Sequence, residues 1–119
     1  MKRSRILTAA VAGVAIMVTA TALPAAASTP DCSYPSVCLY QWNGEGWTKT
    51  GQLQQFTPGW QNLTVSNGAT RIVNTRLDDV VYVLHRDGLM GCFPPDTDAA
   101  GEIAPIAAIR ISSSPTCRL

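Results

Sequence analysis

Four cysteines in a short chain constrain this fold more than any other feature. They stand at positions 32, 38, 92 and 117. Ahead of them, Lys2, Arg3 and Arg5 precede an uncharged apolar stretch from Ile6 to Met17, and Ala25-Ala26-Ala27 gives the small-x-small pattern that signal peptidases accept. Residues 1–27 therefore read as a secretory signal peptide cleaved after Ala27. The apolar part falls short of the ~20 residues a bilayer-spanning helix needs. The expected mature domain, residues 28–119, is too short to bury much more than about 60–65% of its unfolded surface, so staples are expected. An even number of cysteines in an oxidising compartment implies two disulfides. Neighbourhood in the sequence favours Cys32 with Cys38, which leaves Cys92 with Cys117. A zinc site lacks support, because no Cys-x-x-Cys pair occurs and His85 is the single histidine.

Cleavage after Ala27 takes three of the nine Lys and Arg and none of the eight Asp and Glu, leaving six against eight, a formal net charge of −2. With no Lys/Arg cluster either, the surface has no electrostatic footprint for nucleic acid or for an anionic membrane. Neither partner is expected.

Past the cysteine-pinned lead-in, Val37 to Trp42 is rich in β-formers and is followed at once by Asn43-Gly44, a turn dipeptide. Further strands are predicted over 52–56, 60–65, 70–74, 80–84 and 106–112. Pro58-Gly59, Asn67-Gly68, Asp87-Gly88, Pro94-Pro95 and Gly101 punctuate them. Short strands with turn signals every 8 to 12 residues, and no sustained helical periodicity, predict an all-β antiparallel sandwich or Greek-key domain. Ala69-Thr70-Arg71-Ile72 recurs 39 residues later as Ala108-Ile109-Arg110-Ile111, which fits two repeated motifs of about forty residues.

The spacing Cys32-x5-Cys38-Leu39-Tyr40, the Thr70-Arg71-Ile72 strand and the segment Leu84 to Cys92 resemble the Streptomyces metalloproteinase inhibitor family. In the second half Leu84, Leu89 and Gly91 keep the spacing of a crystallin-type folded hairpin, with leucines in place of rings. The resemblance implies a βγ-crystallin-like Greek-key sandwich. It also implies a rigid, disulfide-braced loop that enters the active site of a thermolysin-type metallopeptidase. The matching segment runs from Gly88 to Pro95, and the resemblance assigns the inhibitory loop to Gly91, Cys92, Phe93 and Pro94, with Phe93 filling an apolar pocket of the peptidase. Such a loop loses little entropy on docking. The family's loop carries its own short disulfide, whereas Cys92 here must reach Cys117.

On this reading the protein is a secreted monomer whose partner is an extracellular peptidase; it is neither an enzyme nor a carrier of a cofactor or metal. A crystallin-type calcium site is not expected, because Arg71 follows Asn67-Gly68-Ala69-Thr70 where an oxygen ligand would stand. The acidic residues Asp96, Asp98 and Glu102 read as solvated loop charges. For a hydrolase, His85 and Asp87 would need a nucleophile that the sequence does not supply. The carboxylates of Asp78 and Asp79 are adjacent and do not converge on a strand. Trp42 and Tyr40 share strand parity with Cys38 and are expected on a packed face. An alternative function is a crystallin-like structural or antimicrobial module without peptidase inhibition.

Overall fold

A computed structural model describes residues 31–119; the expected signal peptide lies outside them. Eight strands form two antiparallel sheets, and no helix occurs among the described residues. In chain order they are β1 (Val37–Trp42), β2 (Trp47–Leu53), β3 (Gln61–Asn62), β4 (Arg71–Asn74), β5 (Val80–His85), β6 (Met90–Phe93), β7 (Thr97–Ala99) and β8 (Ile106–Ser112). One sheet has the order β2-β1-β4-β7 and the other β3-β8-β5-β6. Each half of the chain thus builds one hairpin and a returning strand into its own sheet and lends its third strand to the other. The short strands β3 and β7 make that exchange, β3 on β8 and β7 on β4.

Period-two alternation decides what lies between the sheets. Val37, Leu39 and Ile72 point inward from one sheet, and Val81, Val83, Ile106, Ile109 and Ile111 from the other, into one core closed by Leu63 and Ala69. The opposite face of β1 carries Cys38 and Tyr40, which pack with Cys32, Val73 and the half-buried Trp47 in a second, smaller cluster. The lead-in segment is stapled over this face by the Cys32–Cys38 disulfide. Cys92–Cys117 likewise ties β6 to the carboxyl-terminal tail, and no free cysteine remains among the described residues. Both pairings are the ones expected from sequence neighbourhood, and two closed bridges in so small a domain fit an oxidising compartment.

The strand expectations differ from the structure at the sheet edges. The second strand starts at Trp47, not at 52, and ends at Leu53; of the segment 60–65 only Gln61–Asn62 is strand. β6 and β7 fall where no strand was predicted, β6 over most of the segment assigned to the inhibitory loop. Edge strands are held by one row of backbone hydrogen bonds and bury little side-chain area. Polar or glycine-bearing stretches such as Trp47-Thr48-Lys49-Thr50-Gly51 therefore pair without any apolar pattern to announce them.

The repeated Arg71 and Arg110 occupy matching places. Arg71 on β4 lies opposite Tyr40 on β1, and Arg110 on β8 lies opposite Tyr82 on β5. Each guanidinium stands over its tyrosine ring and a tryptophan ring: Arg71 over Tyr40 at 4.7 Å and Trp47 at 5.8 Å, Arg110 over Tyr82 at 5.0 Å and Trp60 at 5.7 Å. Arg71 also donates Nε and Nη2 to the two carboxylate oxygens of Asp98 on β7, at 3.0 and 2.8 Å. These bonds hold the Arg71 pKa above the usual arginine range. Because Asp98 remains partly open to water, Asp98→Asn is expected to cost no more than about 1 kcal/mol and to lose that effect in high salt. Chemical denaturation at low and high ionic strength checks it, and a salt-independent loss of several kcal/mol would count against a solvent-screened pair.

Candidate functional site

The β5–β6 hairpin is built by local rules. Gly88 N–H donates to His85 O and His85 N–H to Leu89 O, both at 2.9 Å, while Gly88 takes a φ of +91°. This is a three-residue connection whose left-handed position favours glycine. Asp87 Oδ1 accepts the Leu89 N–H at 2.9 Å and stiffens the tip. Leu89 and Met90 leave this turn 67% and 55% exposed, two adjacent apolar side chains with no core to enter.

Met90 opens β6, the terminal strand of its sheet, so one row of its backbone N–H and C=O groups faces outward. Its inner row pairs with β5, Gly91 opposite Val83, Cys92 opposite Tyr82 and Phe93 opposite Val81. Gly91 is needed for close approach. A Cβ there would lie 3.1 Å from Val83 Cγ2 and 3.2 Å from His85 Nε2, so the imidazole leans over the strand. The exit is anchored at Pro94, whose carbonyl accepts the Asn74 Nδ2–H at 3.0 Å and the Thr97 hydroxyl at 2.7 Å. Asn74 is fully buried; its amide also donates to Asp79 O, and its Oδ1 accepts the Arg76 N–H.

This geometry differs from an exposed loop over Gly91 to Pro94. Gly91, Cys92 and Phe93 form a strand and are half-buried, and Pro94 alone of the four is exposed. Phe93 shares parity with Gly91 and packs against the inter-sheet core, so its ring does not project toward a partner's pocket. The ring is drawn in because its apolar area is removed from water between the sheets. The apolar side chains offered to solvent are instead Leu89 and Met90, at the amino-terminal end of the segment. They carry no periodic signal; only their place beside Asp87-Gly88 marks them.

The other candidate residues are dispersed. His85 Nδ1 donates to Ala104 O at 2.8 Å, and Asp87 serves the turn, so the two do not form a dyad. Asp79 accepts Arg76 Nε at 2.6 Å. Among the described residues no three His, Cys, Asp or Glu side chains converge as a metal-binding set would. Trp42 is 55% exposed and meets the half-buried Trp47 edge-on at 5.3 Å, so the packed face expected for Tyr40 and Cys38 does not extend to it. Comparison of the chain with protein families, curated proteins and solved structures found no match.

Proposed function

We propose that this chain is a secreted, crystallin-like Greek-key domain that inhibits an extracellular peptidase of the thermolysin-type metallopeptidase class. The observation that carries the reading is the disulfide-tethered edge strand β6 running straight out of an exposed Leu89-Met90 tip. An extended segment with an open backbone edge is the form in which one chain adds to another by strand pairing: main-chain hydrogen bonds give affinity and alternate side chains give specificity. Pairing on both flanks of the tip leaves little order to be gained on docking. Cys92–Cys117 holds the strand, and Asn74 and Thr97 hold Pro94. The Greek-key part of the reading is supported by the exchange of β3 and β7 and by the matching Tyr–Arg pairs. Secretion is supported by the amino-terminal sequence and by the disulfides.

The expected result is inhibition of a thermolysin-type metallopeptidase by the purified protein, with a chymotrypsin-like serine peptidase run beside it unaffected. Leu89→Asp and Met90→Asp are expected to weaken inhibition by about 10- to 100-fold while leaving the fold intact, the loss typical of a central apolar anchor. Phe93→Ala is a poorer probe because Phe93 belongs to the core. Inhibition unchanged in both tip variants would reject the tip as the docking element. No inhibition of either peptidase would favour the structural or envelope-acting module, for which the exposure of Trp42 speaks.

A further inference from the structure

The two Tyr–Arg pairs match across β1/β4 and β5/β8, but what flanks each arginine differs. Arg71 has a carboxylate, supplied by Asp98 from the exchanged strand β7. Arg110 has none: its Nε–H is sealed from solvent and meets no acceptor among the described residues. The register accounts for the difference. β3 pairs with β8 through Gln61–Ile109 and Asn62–Ala108, so the chain that continues past Arg110 on that side is Trp60-Gly59-Pro58, which carries no acid. A buried donor without a partner is uncommon in a native fold, and here it leaves the guanidinium charge without the carboxylate that Arg71 has.

Arg110 also lines a depression of about 440 Å³ whose other walls are Phe56, Thr57, Ile111, Ser112 and Ser113. Thr57, Ser112 and Ser113 thus border one hollow with Arg110, whose guanidinium stands over the Trp60 and Tyr82 rings. The Thr57 hydroxyl donates to Gly59 O, and Ser112 Oγ accepts from the Ser114 N–H, so both side chains are already oriented. Arg76, the other cation beside Phe56, is compensated by Asp79. A guanidinium stacked on aromatic rings still offers its Nη N–H groups as a planar fork suited to an oxyanion.

We propose that this hollow beside Arg110 is an oxyanion-binding site, in which a carboxylate or phosphate group accepts from the Nη groups of Arg110 and supplies the negative charge that Asp98 supplies at Arg71. The site lies on a different element from the β5–β6 tip and does not depend on the peptidase reading.

The test follows the indole N–H signals of Trp60 and Trp47 by NMR in the full protein. Sodium acetate, inorganic phosphate and a blocked aspartyl peptide are titrated in turn at constant ionic strength. The expected result is a saturable shift of the Trp60 signal with at least one of them, and none at Trp47, where Arg71 is already paired. Saturation by acetate or phosphate assigns a free anion; saturation by the peptide alone assigns an acidic side chain of a partner. Arg110→Gln is expected to weaken binding by about tenfold or more. Ser112→Asp, which places a carboxylate two residues along the same strand face, is expected to abolish the shift while keeping the fold. The proposal is overturned if none of the three probes saturates, if Trp47 shifts in parallel, or if the shift survives in both variants.

Discussion

Replacing Gly51 by alanine is expected to lower the unfolding free energy by about 3 kcal/mol, at the upper end of the range for forcing extra atoms into a packed site. Gly51 on β2 lies opposite Leu39 on β1. A Cβ at position 51 would collide with Ser66 Oγ and lie 3.1 Å from Ser66 Cβ and 3.6 Å from Leu39 Cδ1. Ser66 cannot simply turn away. It is buried, and its hydroxyl donates to Thr50 O at 2.7 Å, so relief of the clash breaks that bond or shifts the link that carries the chain from one sheet to the other. Ser66→Gly removes the obstacle, so the double variant is expected to be less destabilised than the sum of the two single changes, as for residues in direct contact. Urea unfolding reads this directly. With a slope of about 1.5 kcal/mol/M, the alanine variant should lose about 2 M in midpoint. A midpoint equal to the parent protein's, or strict additivity in the double variant, would contradict the close approach.

The second large effect concerns the bridges, which differ in what they hold. Cys92 and Cys117 are 25 residues apart and Cys32 and Cys38 only 6. Loop-closure entropy in the unfolded chain then gives about 3.5 kcal/mol for the first bridge and about 2.2 for the second. For Cys92→Ser/Cys117→Ser this corresponds to a fall in Tm of about 15–20 °C in a domain of this size. In the folded state Cys32 and Cys38 are fully buried in the outer cluster with Tyr40 and Val73, whereas the tail beyond Ser114 is exposed and is also held by the Arg118 N–H donating to the Tyr82 hydroxyl. The Cys32→Ser/Cys38→Ser variant therefore also buries two hydroxyls where sulfur had been, and its cost should exceed the entropic figure. Scanning calorimetry of both double variants checks the pair. If neither moves Tm by more than a few degrees, the bridges are decoration on a core that already suffices.

Local pattern specifies some of these elements and long-range pairing the others. Val37 to Trp42 and Val80 to Leu84 became central strands because their alternation carries both the backbone preference and the burial that rewards it. The Ala-x-Arg-Ile echo pointed to equivalent strands, and β4 and β8 are equivalent, each pairing with the first strand of its half. Edges were less legible: β6 and β7 contain or border Gly and Pro and bury little, so local composition reads as turn while tertiary pairing makes strand. Phe93 is the instructive residue. An aromatic ring beside two prolines is compatible with a binding loop or a core wall, and only its partner across the ladder, Val81, decides between them.

The sequence by itself determined the all-β class, the central strands, the hairpin turns and the cysteine pairing. Each of these depends on periods of two, on turn residues or on short separations along the chain. Tertiary structure alone decided which strands are edges, which face of each strand meets the core, that Leu89 and Met90 rather than Phe93 reach solvent, and that Arg71 finds Asp98 while Arg110 finds no acid. These depend on register between segments far apart in the chain. A shift of one residue there turns every side chain to the opposite face, and nothing local records it.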